Sequence, residues 1–185
     1  MRDKNEKMPM GQSEILQDYH DYVWGIPTHD ERQLYKMLIL EGLQAGLSWE
    51  TVLKKEQYYS DALDDFDYRK IALYDKKKYD ELMNTDNLIK NKLKMKAIIN
   101  NAKAFIKIQE DYGSFDRYIW SYTDYKTIIH YYEEIVSYDD LSILISKDLK
   151  KKGFTFVGPT IIYSYLQAIG VYNDHDIDCE FKNNI

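Results

Sequence analysis

The sequence has few of the residues that cross-link or stiffen a chain: its 185 residues include one cysteine, Cys179, and three prolines. A single cysteine excludes an internal disulfide framework and is typical of proteins from a reducing compartment. The sequence also lacks an apolar stretch long enough to cross a membrane, and residues 1–13 contain no apolar segment of the kind found in secretion signals. These absences predict a cytoplasmic protein without a membrane span.

Positive charge is also in deficit, because 25 lysines and arginines face 31 acidic residues and leave a net charge of -6. An acidic total argues mildly against a broad nucleic-acid surface but does not exclude a local one. Two basic clusters stand out, at residues 90–96 and at residues 150–152. They are either ordinary solvated faces or, if they lie on the same side, a cationic face that could meet a DNA backbone.

Helical periodicity dominates the chain. The apolar positions between residues 34 and 43 and between residues 93 and 108 recur with helical spacing and not with alternating spacing. Side chains suited to begin a helix precede several segments: Asp30, Ser48, Asp67, Asp75 and Ser114. No alternating run predicts a strand, and no internal repeat or low-complexity tract is found. The sequence therefore predicts an all-α fold in a single domain covering residues 1–185, with residues 1–13 flexible.

The segment from Leu34 to Trp49 carries an acid, Glu41, in the middle of an apolar helical run that ends at Gly46. An ionised carboxylate is costly to bury unless it is paired or used for binding. Near Trp49, at the bend between two helices, Glu41 could recognise a flat, cationic or hydrogen-bonding ligand. The alternative is a solvated Glu41 and a Trp49 that only packs in the core. This segment alone leaves both interpretations open.

Residues 149–170 are predicted to form a helix, a tight hairpin between Gly153 and Gly158, and a second helix that begins at Pro159. Such a hairpin exposes the free N–H groups at the start of the second helix, which bind a phosphate without net charge. The arrangement resembles the helix-hairpin-helix module of DNA repair proteins, although an ordinary helix corner has the same spacing. A P-loop of the usual form is excluded because no Lys-Ser or Lys-Thr pair follows Gly158.

A third candidate group consists of His20, His175 and Cys179. His175 and Cys179 lie one helical turn apart and could bind the same ion. Three ligands are fewer than a closed structural zinc site contains. Isolated histidines and a buried cysteine are therefore the alternative interpretation.

Several blocks of the sequence carry a resemblance to a known family. In chain order they read YHDYVWGIP, LEGLQAGLSWETVLKK, NKLKMKAIINNA, GSFDRYIWSY, ISKDLKKKGFTFVGPT, YSYLQA and NDH. They extend from Tyr19 to about Cys179, and in order and spacing they resemble the bacterial 3-methyladenine DNA glycosylase I family. The resemblance implies a helix-hairpin-helix glycosylase fold in which two helical lobes share a base-binding cleft. It also implies that the substrate is double-stranded DNA with alkylated bases, and we expect a monomer.

The resemblance further implies roles for single residues. Tyr19, Glu41 and Trp49 would form the base pocket, with Glu41 as the catalytic residue. Leu47 would fill the gap that an extracted base leaves in the duplex, and the hairpin would hold a phosphate. The predicted DNA-binding residues are Leu47, Lys151, Lys152, Gly153, Phe154, Phe156 and Gly158.

Members of the family also carry a structural zinc ion, for which His20, His175 and Cys179 match three of the ligands. The family's fourth ligand, a cysteine, is replaced here by Lys7, whose ammonium group cannot coordinate zinc. We therefore predict that zinc is weakly held or absent, unless water or a nearby carboxylate substitutes, and that the N-terminus is loosely held. The family's usual EWG sequence reads VWG here, and the consequence of Val23 is left open.

The implied reaction is hydrolysis of the N-glycosidic bond of 3-methyladenine, which releases the base and leaves an abasic site. No lysine nucleophile is required, so no strand cleavage is predicted. Two alternatives differ in class: a non-catalytic reader of damaged DNA that retains the pocket, and a helical protein-interaction domain unrelated to DNA. Retention of Tyr19, Glu41 and Trp49 favours the enzyme over the reader.

Overall fold

The computed structural model describes residues 13–131 and 136–183, and these residues form an almost entirely helical fold. In chain order the helices are α1 (Glu14–Tyr22), α2 (Glu31–Gln44), α3 (Trp49–Ala62), α4 (Tyr68–Ile71), α5 (Lys76–Asn84), α6 (Lys92–Tyr112), α7 (Phe115–Trp120), α8 (Asp140–Lys151) and α9 (Pro159–Ala168). Single 3₁₀ turns follow at Ser121–Thr123 and at Glu180–Asn183. The all-α prediction is confirmed.

The helix starts follow from the side chains that precede them. In each case the side-chain oxygen of the residue just before the helix accepts a hydrogen bond from a backbone N–H of the first turn. These residues are Asp30, Ser48, Asp67, Asp75 and Ser114. Each such bond satisfies a donor that the helix itself leaves free, and it contributes about 1 kcal/mol. Local sequence therefore fixes where the helices begin.

Two short strands were not predicted. β1 (Ile128–Ile129) pairs in parallel with β2 (Tyr172–Asn173). A strand of two residues is too short to show an alternating pattern, so no sequence pattern predicts it. The pair ties the connection that follows α7 to the chain that follows α9.

Helix α2 lies at the centre of the core and contacts α3, α6, α7 and α9. Every residue from Met37 to Leu43 is buried, so the helix is covered on all sides and not along one stripe. Truncating one of its core side chains, such as Leu38→Ala, would cost about 2–5 kcal/mol. Because α2 is enclosed in this way, its one central acid, Glu41, is enclosed with it.

No helix among residues 13–131 and 136–183 is long and apolar enough to cross a membrane. The prediction that residues 1–13 are flexible concerns, apart from Ser13, residues outside the described part of the chain, and so does the prediction about Lys7.

Candidate functional site

Glu41 lies in the middle of α2 with 3% of its surface exposed. Its Oε2 accepts no hydrogen bond from any residue that the structure describes. Burial raises the pKa of this carboxyl from 4.5 to about 8, because the charged form loses its hydration. Glu41 is therefore mostly protonated in the free protein near neutral pH, and the interpretation of a solvated acid is wrong.

Trp49 is the first residue of α3, and its indole Nε1 is also buried without an acceptor in the described part of the chain. The ring of Tyr19, on α1, meets the indole edge-on with the two centroids 5.1 Å apart. Burial, and after it the charge of Glu41, raises the pKa of Tyr19 well above its usual value. The structure thus brings Tyr19, Glu41 and Trp49 together, although the three residues lie on three different helices.

Two of these side chains offer complementary polar atoms beside the aromatic rings of Tyr19 and Trp49. Glu41 supplies an oxygen and Trp49 supplies an N–H, and both atoms lack a protein partner among the described residues. Buried polar atoms are almost always hydrogen-bonded, so such a pair in one place points to a ligand that binds there. A planar ring with both donors and acceptors on its edge would satisfy both atoms and contact the rings of Tyr19 and Trp49.

The turn between α2 and α3 presents Leu47, which is 38% exposed. This turn is fixed from behind by Lys94 of α6, whose Nζ donates to the backbone oxygens of Leu43 (2.8 Å) and Ala45 (2.5 Å). Burial lowers the pKa of Lys94. Sequence reasoning placed Lys94 in an exposed basic cluster and missed this role, although the residue is spaced one and two turns from Ile98 and Asn101 of the buried face.

The predicted hairpin joins α8 to α9. It begins at Gly153, whose φ of +92° is a conformation that favours glycine. Gly158 directly precedes Pro159, which begins α9 and has no N–H to leave unpaired. Between them Phe154 is buried and Phe156 is half-buried. The hairpin therefore contributes backbone groups, and not charged side chains, to the surface.

The lysines around the hairpin differ in their surroundings. Lys151 is exposed, whereas the Nζ of Lys152 donates to the hydroxyl of Tyr112 at 2.8 Å and lies 4.7 Å from the centre of that ring. The ammonium of Lys152 therefore has a partner within the protein. Lys151 is the freer of the two to meet a phosphate, and a role of either in DNA binding stays a prediction.

The predicted metal ligands His20, His175 and Cys179 also come together, with their donor atoms within 4.8 Å of one another. Nδ1 of His20 lies 2.9 Å from the carboxylate of Asp21, and Nδ1 of His175 lies 2.9 Å from the side-chain oxygen of Asn173. A proton on Nδ1 would suit both contacts and would leave Nε2 to bind a metal, as in zinc sites. Nε2 of His175, however, also lies 3.3 Å from the backbone oxygen of His20. By chemical type, two histidine nitrogens and a cysteine sulfur suit a zinc ion.

Asp174, by contrast, is fully engaged in hydrogen bonds. One carboxylate oxygen lies 2.6 Å from Nδ1 of His130, and the other accepts from Tyr163 and Gln167, both at 2.7 Å. A carboxylate with three such partners holds the chain after α9 in place. Both of its oxygens thus have partners within the protein.

Comparison with known proteins agrees with this geometry. The family model described as Methyladenine glycosylase matches residues 10–183. The DNA-3-methyladenine glycosylase of Haemophilus influenzae is 39% identical over 178 residues, which is 95% of this chain and 96% of that protein. DNA-3-methyladenine glycosylase 1 of Escherichia coli is 40% identical over 87% of this chain and 88% of its own length.

Solved structures are equally similar. A structure of 3-methyladenine DNA glycosylase I from Staphylococcus aureus, concerned with 3-methyladenine recognition, superposes with a TM-score of 0.90 at 40% identity and covers 92% of this chain and 93% of that one. A tyrosine-to-phenylalanine variant of 3-methyladenine DNA glycosylase I in complex with 3-methyladenine gives the same TM-score of 0.90. With the family model matching nearly the whole sequence, the chain belongs to the methyladenine glycosylase family.

Proposed function

We propose that this protein is a DNA-3-methyladenine glycosylase that starts base-excision repair by releasing 3-methyladenine from alkylated DNA. The observation that carries the proposal is the pair of unsatisfied buried polar atoms, on Glu41 and Trp49, beside the ring of Tyr19. The names and structures of the relatives agree with it.

Recognition of the damaged base rests on charge. Methylation at N3 leaves adenine cationic in DNA, and a cation beside Glu41 favours the ionised carboxylate, which burial alone disfavours. The indole of Trp49 would contact the base, and its N–H and the hydroxyl of Tyr19 would complete the polar contacts. Normal adenine is neutral and cannot compensate the cost of ionising Glu41. The pocket therefore selects against it.

The chemical step needs little acid catalysis. The bond between the sugar C1′ and the base nitrogen breaks with its electron pair going to the base, which neutralises the positive ring. Water then adds to C1′ and loses a proton, so that an abasic site and a free base result. The protein's part is to extract the base from the stack, which costs a few kcal/mol, and to hold it beside Glu41.

We assign no general base and no covalent nucleophile. Asp174 is already bound by His130, Tyr163 and Gln167. Lys94 is the buried lysine nearest the turn that carries Leu47, but its ammonium donates to two backbone oxygens. The protein should therefore hydrolyse the glycosidic bond without cutting the strand.

Double-stranded DNA is the proposed partner, held at two points. The hairpin between α8 and α9 would bind a backbone phosphate through its N–H groups. The exposed Leu47 would enter the space that the extracted base leaves. Nothing in this arrangement requires a second subunit, and we propose that the protein acts as a monomer.

We also propose that His20, His175 and Cys179 hold zinc weakly or not at all. Their donor atoms, up to 4.8 Å apart, must draw closer together to share one ion, since zinc lies only about 2.0–2.3 Å from each ligand. Where zinc binds, it would stabilise the packing of α1 against the chain after α9, and it would take no part in the reaction.

The proposed function is tested by incubating the protein with methylated and with unmethylated DNA and identifying the released bases by chromatography. Free 3-methyladenine should appear from the methylated DNA alone, without strand cleavage. The Glu41→Gln variant should release none, because a neutral amide cannot compensate the charge of the base. Tight binding of methylated DNA without any release would instead support the non-catalytic reader.

A further inference from the structure

The carbonyl groups of the hairpin are bound by side chains of the helices beneath it. Asn100 of α6 donates to the oxygen of Gly153 at 2.6 Å, and Ser146 of α8 donates to the oxygen of Val157 at 2.6 Å. The carbonyl between them, that of Thr155, is bound by Asn101 of α6 at 2.9 Å. Three alternate carbonyls of the hairpin are thus held by side chains of α6 and α8.

Asn101 makes the most specific of these contacts. Besides donating to the oxygen of Thr155, its side-chain oxygen accepts the N–H of the same residue at 2.9 Å. Asn101 is 3% exposed, so water does not compete for these bonds. Only a primary amide offers a donor and an acceptor side by side, and Asn101 therefore pairs with Thr155 as a neighbouring strand would.

Two backbone donors that follow Thr155 in the hairpin have no acceptor among the described residues. The backbone N–H groups of Phe156 and Gly158 donate to no residue in the described ranges. Phe156 also has a φ of +56°, a conformation that side chains other than glycine rarely adopt. Such a backbone persists only where its surroundings hold it, and the neighbouring carbonyls bound by Asn101 and Ser146 are those surroundings.

Phe156 links the hairpin to the base pocket. A Cβ placed on Gly42, the neighbour of Glu41 on α2, would lie 3.4 Å from the Cβ of Phe156. The cavity at this junction of α2, α6 and the hairpin is about 10 Å³, and Asn101 is among its lining residues. A space of this size holds at most about one water molecule. The hairpin and the helix that carries Glu41 therefore pack in one arrangement.

We propose that Asn101, assisted by Ser146, is a positioning residue for DNA binding: it holds the hairpin so that its free N–H groups face a backbone phosphate at a fixed distance from Glu41. The proposal rests on the proposed function only in that the hairpin is the part that holds DNA. Asn101 itself does not contact the base.

The test uses the full-length protein and an undamaged DNA duplex, whose binding is followed by fluorescence anisotropy. Asn101→Leu keeps the approximate volume but removes both hydrogen bonds, and it should weaken duplex binding at least tenfold. The affinity for free 3-methyladenine, followed by tryptophan fluorescence, should change less than twofold. With methylated DNA the variant should raise KM and leave kcat nearly unchanged.

Salt dependence separates positioning from loss of charge. The hairpin N–H groups are neutral and release no counterions, so Asn101→Leu should leave the slope of log affinity against log salt unchanged. Lys151→Ala, in contrast, should make that slope shallower by about 0.9 if the lysine meets one phosphate. Asn84→Leu is the matched control, because it removes an asparagine bond to a backbone carbonyl on α5. It should leave duplex binding unchanged.

Ser146→Ala is the milder variant, since it removes one hydroxyl and one bond to the hairpin, and it keeps the test valid should Asn101→Leu fail to fold. It should weaken duplex binding about threefold with free-base affinity retained. The proposal is overturned if both folded variants bind the duplex as the unaltered protein does, or if free-base affinity falls in parallel. Because undamaged duplex and free base are measured separately, a protein that binds both but releases no base would refute the glycosylase activity and not the role of Asn101.

Discussion

Glu41, which is buried, and Asp174, which is half-buried, have opposite surroundings. Asp174 is bound by His130, Tyr163 and Gln167, whereas Glu41 is more deeply buried and keeps an oxygen without any partner among the described residues. Burial of a polar group costs free energy unless hydrogen bonds compensate it. Asp174 recovers that cost on folding, and Glu41 can recover it only when a ligand binds. The comparison separates a carboxylate that stabilises the fold from one that is available to a substrate.

The largest expected effect is on the side of stability. Asp174→Ala removes one acceptor that three buried or half-buried side chains share, and it should lower the free energy of unfolding by about 3 kcal/mol. Urea unfolding followed by circular dichroism measures the change. Base release per folded molecule should be retained. Loss of activity in molecules that are still fully folded would contradict a purely structural role for Asp174.

In the base pocket we expect a substitution to lower activity and to leave stability largely unchanged. Trp49→Ala removes the ring that contacts the extracted base, and kcat/KM for 3-methyladenine release should fall about 10- to 100-fold, since stacking contributes about 1–3 kcal/mol per base. Trp49→Phe keeps a ring but loses the N–H, and it should retain part of the activity. Unfolding in urea serves as the control. If Trp49→Ala loses stability and not activity, Trp49 belongs to the core alone.

The dependence of stability on pH should test the burial of Glu41 directly. The pKa of Glu41 is raised on folding from 4.5 to about 8, so between these values the folded protein binds more protons than the unfolded chain. The contribution of Glu41 to stability is therefore full below pH 4.5 and is lost as the pH rises to about 8, at no more than about 1.4 kcal/mol per pH unit.

The measurement is the difference in unfolding free energy between the unaltered protein and Glu41→Gln, taken from pH 5 to pH 9. Glutamine does not titrate, so the variant should gain on the unaltered protein as the pH rises, and the gain should level off above about pH 8. A difference that is independent of pH would mean that Glu41 is solvated in the free protein.

The smallest expected effect concerns the candidate metal ligands His20, His175 and Cys179. Protein purified without added metal should contain well below one zinc per molecule by mass spectrometry of the element. A chelator should shift its melting temperature by less than about 2 °C, because a weakly bound ion adds little to stability. One tightly bound zinc per chain would overturn our prediction and would mean that water or a carboxylate completes the site of His20, His175 and Cys179.

The helices could largely be predicted, because their starts depend on single residues such as Asp30 and Ser48 that act on the nearest turn. The environment of Glu41 could not be derived from the pattern around it. Its burial depends on how α6, α7 and α9 cover α2, which is a property of residues distant in sequence. The pocket residues were identified through the resemblance of sequence blocks, and the structure supplies the physical reason why Glu41 and Trp49 need a ligand.

The roles of Lys94 and Asn101 were missed for a related reason. Both look like ordinary polar residues of an amphipathic helix, yet both lie on its buried face and bind backbone groups of distant segments. Such contacts join residues about 50 positions apart, and no local sequence pattern predicts them. Their only signal is a polar residue spaced in register with the apolar stripe.

The hairpin has a consequence for how DNA binding depends on pH. Its proposed hold on DNA depends on backbone amides, and an amide carries no ionisable proton between pH 5 and pH 9. The hold should therefore keep the same strength over a range in which the carboxyl of Glu41 changes its charge. The affinity for undamaged DNA would therefore not change with pH, and only the binding of an extracted base in the pocket would change with it.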